Sequence, residues 1–299
     1  MPLAVMLRSA ATHLRDGRQL QAYVVNDGIA AGDRRRAEES MPSHASIQWV
    51  EPLRDNFVGL PLWGRMPITT YDKITVADFL PAEADRAIWL DCDMLVTRDV
   101  ADLWEMSFAN ETTLAVQDTL VPLVSSRFGI AAYEKLGMDS RASYFNAGLM
   151  LIDVAAWREH RVSAHALEYL KKFSRDVVFW DQEALNAALY GKWQRLEAGW
   201  NWSANVHRLG SREEKMKGSG GRIVHFNGNI KPWVVSDGGT IDEEYFDMVD
   251  QTAWAGWRPV KTLRTRTLAW YGSSNIRRWM YPAEQLGVQL LWRFTKKQT

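Results

Sequence analysis

The chain has 299 residues, and its 36 basic residues are balanced by 36 acidic ones. That length fits one large domain or two small ones, and the charge balance gives no global reason for nucleic acid to bind. The single cysteine, Cys92, excludes an intrachain disulfide framework and fits a reducing compartment. No apolar run approaches the ~20 residues of a membrane span, and the opening residues lack a signal-peptide pattern. The expected location is the cytoplasm.

In chain order, Leu3–Leu14 is expected to form a helix. Leu20–Val25 is an apolar strand that ends at the turn signal Asn26-Asp27-Gly28. A charged helix follows from Asp33 to Glu39, then a short strand at Ile47–Val50. Met66–Phe79 carries Tyr71 and Lys73 ahead of Ala87–Leu90, a run apolar enough to be a buried strand. Thr97–Trp104 reads as a short helix, and Thr113–Val116 as a strand ending near Asp118. Strands alternating with helices predict a mixed, mostly parallel sheet covered by helices.

Asp91 and Asp93 follow the Ala87–Leu90 strand with one residue between them. On an extended backbone, residues two apart face the same side. Two hard oxygen ligands would then be presented together at a strand's C-terminal end, where open α/β sheets bind ligands. Such a pair suits Mg²⁺ or Mn²⁺. A polar loop after a strand accounts for the same residues.

Further on, Asn146-Ala147-Gly148 precedes the apolar strand Leu149–Ile152. Gly148 would admit a close approach by a ligand or another strand, or simply make a turn. Phe179–Leu189 has the pattern of a helix start, with Asp181 as a reasonable cap. Gly199–Asn205, GWNWSAN, is an aromatic-rich loop or a satellite of core tryptophans. Ile223–Trp233, IVHFNGNIKPW, sets His225 at a strand end, Gly228 three residues on, and Lys231 at the close of the turn. A lysine on a glycine loop suits phosphate.

Four stretches in this order resemble glycosyltransferase family 8: LDCD at Leu90–Asp93, FNAGLMLID at Phe145–Asp153, WDQEALNAAL at Trp180–Leu189 and HFNGNIKPW at His225–Trp233. The family comprises retaining enzymes that include bacterial lipopolysaccharide glucosyl- and galactosyltransferases and glycogenin. The resemblance covers most of Leu3 to about Trp257. It implies a GT-A, Rossmann-like fold, a UDP-sugar donor, and Mn²⁺, with Mg²⁺ as the alternative. By the same resemblance, Asp91, Asp93 and His225 are the metal ligands, and Gly228 and Lys231 hold the diphosphate. Asn146, Asp181 and Gln182 surround the transferred sugar, and Asp118 sits near donor or acceptor. The implied reaction moves glucose or galactose, with retention, onto a glycan or glycolipid of a cell-surface polysaccharide or lipopolysaccharide. Gln182 is expected to stabilise positive charge on the sugar, and Asp181 as a covalent nucleophile is the alternative.

Two departures stand out. The family's Tyr-x-Arg on the donor is here Tyr71-Asp72-Lys73, which keeps the charge but loses the bidentate fork. The family's first strand, which cradles uracil, has no counterpart, and the expectation is that either a non-family segment fills the gap or the natural chain holds ~10–20 more residues upstream, enough for a strand and its loop. Two rival readings remain. One is a nucleotide-sugar-binding relative without turnover. The other is a haloacid-dehalogenase-like phosphatase, although Met94-Leu95 departs from that motif.

The organisation expected is a catalytic domain over residues 1–258 and a basic, aromatic tail over 259–299. The tail carries Lys261, Arg264, Arg266, Arg277, Arg278, Arg293, Lys296 and Lys297 against one acid, Glu284. Trp270, Tyr271, Trp279, Tyr281 and Trp292 interleave with these charges. That composition suits the anionic inner face of a membrane, which implies a peripheral position there.

Overall fold

The computed structural model describes residues 1–62, 66–207, 221–228, 230–235, 240–273 and 287. The chain opens with α1 (Pro2–Thr12), where Pro2 supplies a preset φ in the first turn. Next come β1 (Leu20–Val25), α2 (Ala31–Glu39) and β2 (Ala45–Val50). β1 and β2 pair in parallel from Leu20↔Ala45 to Val25↔Val50 and form a two-stranded sheet of their own.

The central sheet has four strands in the order β3-β6-β5-β7, namely Arg86–Leu90, Phe145–Asp153, Thr113–Gln117 and Trp193–Leu196. β6 runs antiparallel to both β3 and β5, while β7 is parallel to β5. A third sheet has β4 (Met94–Val96), β9 (Ile223–His225) and β8 (Trp202–Ser203) in that order. The sheets are therefore mixed, as the sequence suggested, but not mostly parallel: three of the six pairings among the described strands are antiparallel. β4 was not foreseen. Its ladder with β9 continues to Thr97, whose N–H donates to the Arg222 carbonyl at 2.9 Å. The helix read at Thr97–Trp104 is consequently only Ala101–Trp104.

Side-chain alternation sorts the central sheet's two faces. Ala87 and Trp89 of β3, Ala115 of β5 and Met150 and Ile152 of β6 face a core built with α6 (Val162–Lys172) and α7 (Trp180–Ala188). Ile88, Leu90, Leu114, Val116, Leu149 and Leu151 face the opposite core, shared with α1 and β4. A smaller core joins α1 and β9 to the helix Thr240–Val249. At its upper end β6 breaks this alternation. Between the pairs Ala115↔Met150 and Gln117↔Phe145, β5 advances two residues and β6 five. Phe145 and Ala147 therefore return to the α6–α7 face, out of phase with Leu149 and Leu151. Asn146-Ala147-Gly148 is thus an irregular stretch inside β6 rather than a turn before it, because β6 stays paired on both flanks.

β3 is half-buried at every residue, unlike β6, where seven of nine residues are buried. β1 likewise has no fully buried residue. Among the described residues each of these two strands has one paired neighbour.

The helix Leu263–Ser273 ends the main run of described residues. Arg277, Arg278, Trp279, Tyr281, Glu284, Trp292, Arg293, Lys296 and Lys297 of the tail lie outside the described residues. Among the described residues no helix is long and apolar enough to cross a membrane.

Candidate active site

The site forms where the chain leaves the central sheet for the third one. Asp91 directly follows β3, and its N–H still donates to the Gly148 carbonyl at 2.9 Å. Cys92 and Asp93 make a turn, and β4 begins at Met94. The two carboxylates therefore converge through a corner and not through the period-two geometry of a strand. Met94 pairs with His225, which brings the imidazole beside Asp93, with Nε2 3.2 Å from Asp93 Oδ1. One ligand atom from each of Asp91, Asp93 and His225 lies within 4.8 Å of the others. Two carboxylates and an imidazole at that spacing could hold a divalent ion.

Two lysines neutralise this acidic corner. Lys73 Nζ stands 2.9 Å from Asp91 Oδ1 and 3.1 Å from Asp181 Oδ2. Burial alone would push the ammonium down, but Asp181 and Asp91 outweigh it and raise its pKa above the lysine range. Lys231 reaches Asp93 and also donates to the Phe226 carbonyl at 2.8 Å. Burial would raise Asp93, yet His225 and Lys231 hold it well below the usual carboxylate range.

Asp181 was read as a helix cap, and the structure corrects this. Its Oδ1 accepts from Thr70 Oγ1 at 2.6 Å, and its Oδ2 faces Lys73. No side chain caps the first residue of α7. The backbone donors at its start go to Glu183, which accepts from Val178 N at 2.7 Å and Phe179 N at 3.0 Å. Glu183 also takes Ala131 N and the Tyr169 hydroxyl. Burial still pushes its carboxyl up, against those hydrogen bonds. Glu183 thereby ties down the two residues that precede Trp180, whose φ is +42°.

Beside the corner lies a polar network. Asp118 Oδ2 accepts from Asn146 Nδ2 at 2.9 Å and from Gln182 Nε2 at 3.1 Å. Gln182 Oε1 in turn accepts from Ala147 N at 3.0 Å. Asp118, Asn146 and Asn201 line an open polar pocket together with Gln117, Ser203 and Asn227. Gly148 proves to be a close-approach position. A β-carbon there would sit 2.5 Å from Cε1 of His225, so only glycine leaves room for the ring.

With this geometry in place, the family is decided by the match of the model for Glycosyl transferase family 8 to residues 1–236. The chain belongs to glycosyltransferase family 8. General stress protein A of Bacillus subtilis is 27% identical to it over 267 residues, which is 84% of this chain and 90% of that protein. Glycosyltransferase GlyF of Streptococcus pneumoniae is 26% identical over 236 residues, and the match spans 54% of its length. The lipopolysaccharide 1,3-galactosyltransferase of Salmonella typhimurium is 26% identical over 220 residues, 72% of this chain and 64% of that protein. The chain thus spans between about half and two-thirds of those last two relatives. The galactosyltransferase LgtC, solved with donor and acceptor sugar analogs, superposes with a TM-score of 0.70 at 22% identity, over 89% of this chain and 95% of that one. An active-site glutamine-to-glutamate mutant of LgtC gives 0.71 at 21% identity, over 91% and 95%. The fold shared at that identity is GT-A.

In this family 8 chain the residues singled out from sequence fall into two touching groups. Asp91, Asp93 and His225 form the corner, with Lys73, Asp181 and Lys231 on it. Asp118, Asn146 and Gln182 form the network. Gly228 stands on the turn after β9, with φ +83° and Asn205 Nδ2 3.2 Å from where its β-carbon would be. Its part is backbone shape, which glycine alone meets easily. Sequence reasoning missed Thr70, Glu183 and Asn201. Glu183 had a signal, an acid three residues inside a helix start. Thr70 and Asn201 had none beyond their neighbours.

Proposed function

We propose that this chain transfers a hexose, glucose or galactose, from a UDP-sugar to a glycan or glycolipid acceptor with retention of configuration, giving an α-linked product. The observation that carries this is the convergence of Asp91, Asp93 and His225 within 4.8 Å beside the Asp118–Asn146–Gln182 network. The donor set fits Mn²⁺, with Mg²⁺ as the alternative. A divalent ion bound there supplies Lewis-acid stabilisation of the charge left on the diphosphate. Lys231 is a second cation for that charge once phosphate competes with Asp93 for it. No acid is needed to protonate such a leaving group, and a departing phosphate oxygen can take the acceptor's proton.

Double displacement requires a carboxylate free to attack the anomeric carbon. Both oxygens of Asp181 are engaged, one by Thr70 and one by Lys73. This favours attack from the face of the departing diphosphate, with Gln182 stabilising positive charge on the sugar. The match to a lipopolysaccharide galactosyltransferase supports a cell-surface polysaccharide or lipopolysaccharide acceptor. Val260, Leu263 and Trp270, exposed at 78%, 82% and 59%, lie among basic residues and support contact of the tail with an anionic membrane from the cytoplasmic side.

The test is mass spectrometry of UDP-glucose and UDP-galactose incubated with the protein and Mn²⁺ without acceptor. Release of UDP and free hexose from one of them is expected. Intact donors, in the presence and absence of a panel of acceptors, refute transfer. A second reading is a nucleotide-sugar-binding relative without turnover, for which Lys73 in place of the family's donor-binding arginine speaks. Tight UDP binding with no turnover would identify it.

A further inference from the structure

We propose that Asn201 is a positioning residue that fixes which nitrogen of His225 is free to bind a metal and ties that imidazole to the sugar-side network. This rests on the function proposed above. One chain of hydrogen bonds with unambiguous ends fixes the orientation of each group in it. Gly148 N–H can only donate, and it donates to Asn146 Oδ1 at 3.0 Å. The Asp118 carboxylate accepts at 2.9 Å from the other end of the same amide, Asn146 Nδ2. The Asn146 amide is therefore oriented by its partners. Its Oδ1 also faces Asn201 at 2.9 Å, so the Asn201 atom there must be the donor, Nδ2. Asn201 Oδ1 is then left to face His225 Nδ1 at 2.9 Å. An oxygen that can only accept requires the proton on Nδ1. Nε2 is then the nitrogen turned to the corner, 3.2 Å from Asp93 Oδ1, and the one whose lone pair a metal there would take in place of a proton.

Asn201 closes the short turn Ala198–Asn201 that leads into β8, and β8 pairs with β9 at Ser203↔His225. The same ladder thus delivers Asn201 beneath the imidazole. On the opposite side the ring rests on Gly148. The chain Asp93–His225–Asn201–Asn146–Asp118–Gln182 joins the carboxylate corner to the glutamine without a break. Residues that orient a metal-bound histidine through its other nitrogen typically govern affinity by 10–100-fold.

Two substitutions separate the two bonds that Asn201 makes. In Asn201→Ala both are lost, so Mn²⁺ affinity, read by electron paramagnetic resonance of free Mn²⁺ in the presence of UDP, should fall roughly 10–100-fold. In Asn201→Asp the carboxylate still accepts from Nδ1, so Mn²⁺ affinity should stay at or above the wild-type value. The bond to Asn146 is lost there, so turnover should fall at unchanged metal occupancy. Nitrogen-15 spectra of histidine-labelled protein, with His225 assigned by His225→Gln, should show Nδ1–H in the wild type and a mixture in Asn201→Ala. Equal Mn²⁺ affinity in wild type and Asn201→Ala overturns the proposal, as does equal loss in Ala and Asp variants or an unprotonated Nδ1 in the wild type. Should Asn201→Ala not fold, the Asp variant and the wild-type spectrum still decide. A wild type that binds no Mn²⁺ with UDP instead refutes the metal-dependent function, and the wild-type spectrum still reads the tautomer separately.

Discussion

Removing the ammonium of Lys73 isolates the energetics of the corner. Lys73→Met keeps the aliphatic stem packed and deletes only the charge. Asp181, whose side chain is 8% exposed, would then be a buried carboxylate with one remaining partner, Thr70. Breaking a buried pair from one side costs about 3–5 kcal/mol. The 2.6 Å bond from Thr70 places this case at the low end, near ~3 kcal/mol. Asp91 adds little, because its side chain is 25% exposed and keeps the Trp89 indole donor at 2.8 Å; such a pair is worth at most ~1 kcal/mol. At ~2 °C per kcal/mol for a chain of this size, the melting temperature should drop by roughly 6 °C. Asp181→Asn in the Lys73→Met background removes the orphaned charge, so the double variant should recover ~2 kcal/mol. Thermal unfolding of the four proteins in chelator completes the cycle. A Lys73→Met protein within 1 kcal/mol of wild type, or a double variant no more stable than Lys73→Met, refutes the buried-pair reasoning.

Other expectations follow from the same geometry. Gly148→Ala should drive the His225 ring off its seat and lower Mn²⁺–UDP affinity about 10–100-fold, with the fold kept by circular dichroism; calorimetric affinity equal to wild type would contradict it. Lys231→Ala frees Asp93, so it should bind Mn²⁺ alone at least as tightly as wild type but UDP–Mn²⁺ more weakly, and a parallel fall in both would show that Lys231 does not serve the diphosphate. Gln182→Ala should retain UDP affinity and lose turnover by roughly 100-fold, while NMR coupling constants of the wild-type product should be those of an α linkage; a β product would overturn retention. Deleting residues 259–299 should abolish cosedimentation with anionic vesicles, and undiminished binding would exclude the tail as the membrane contact.

Much of the scaffold could be read from the chain because its signals are local. Leu20–Val25 and the Ala87–Leu90 run carry their own apolar pattern, and β1 and β3 appear where expected. The Asp-Cys-Asp corner and His225 are ambiguous singly and became legible through the four motifs standing together in order. What escaped depends on contacts between distant segments. Asn146-Ala147-Gly148 has turn chemistry, and only pairing with β3 and β5 keeps it in a strand. Asp181 has the place of a cap, but Lys73, 108 positions earlier, and Thr70 claim both its oxygens. Asn201 looked like filler between tryptophans. Its partners, His225 and Asn146, are assembled only when β8 and β9 pair.

The missing side chain at Gly148 has a consequence for how this site varies among descendants. The 2.5 Å gap is space already filled by the imidazole, so positions 148 and 225 cannot drift independently. A lineage that gains any side chain at 148 has no room left for histidine at 225, and one that loses the histidine frees 148 to change. The two positions should therefore switch together across the family. A natural sequence with alanine or serine at 148 should carry a residue other than histidine at 225, whatever its aspartates still spell.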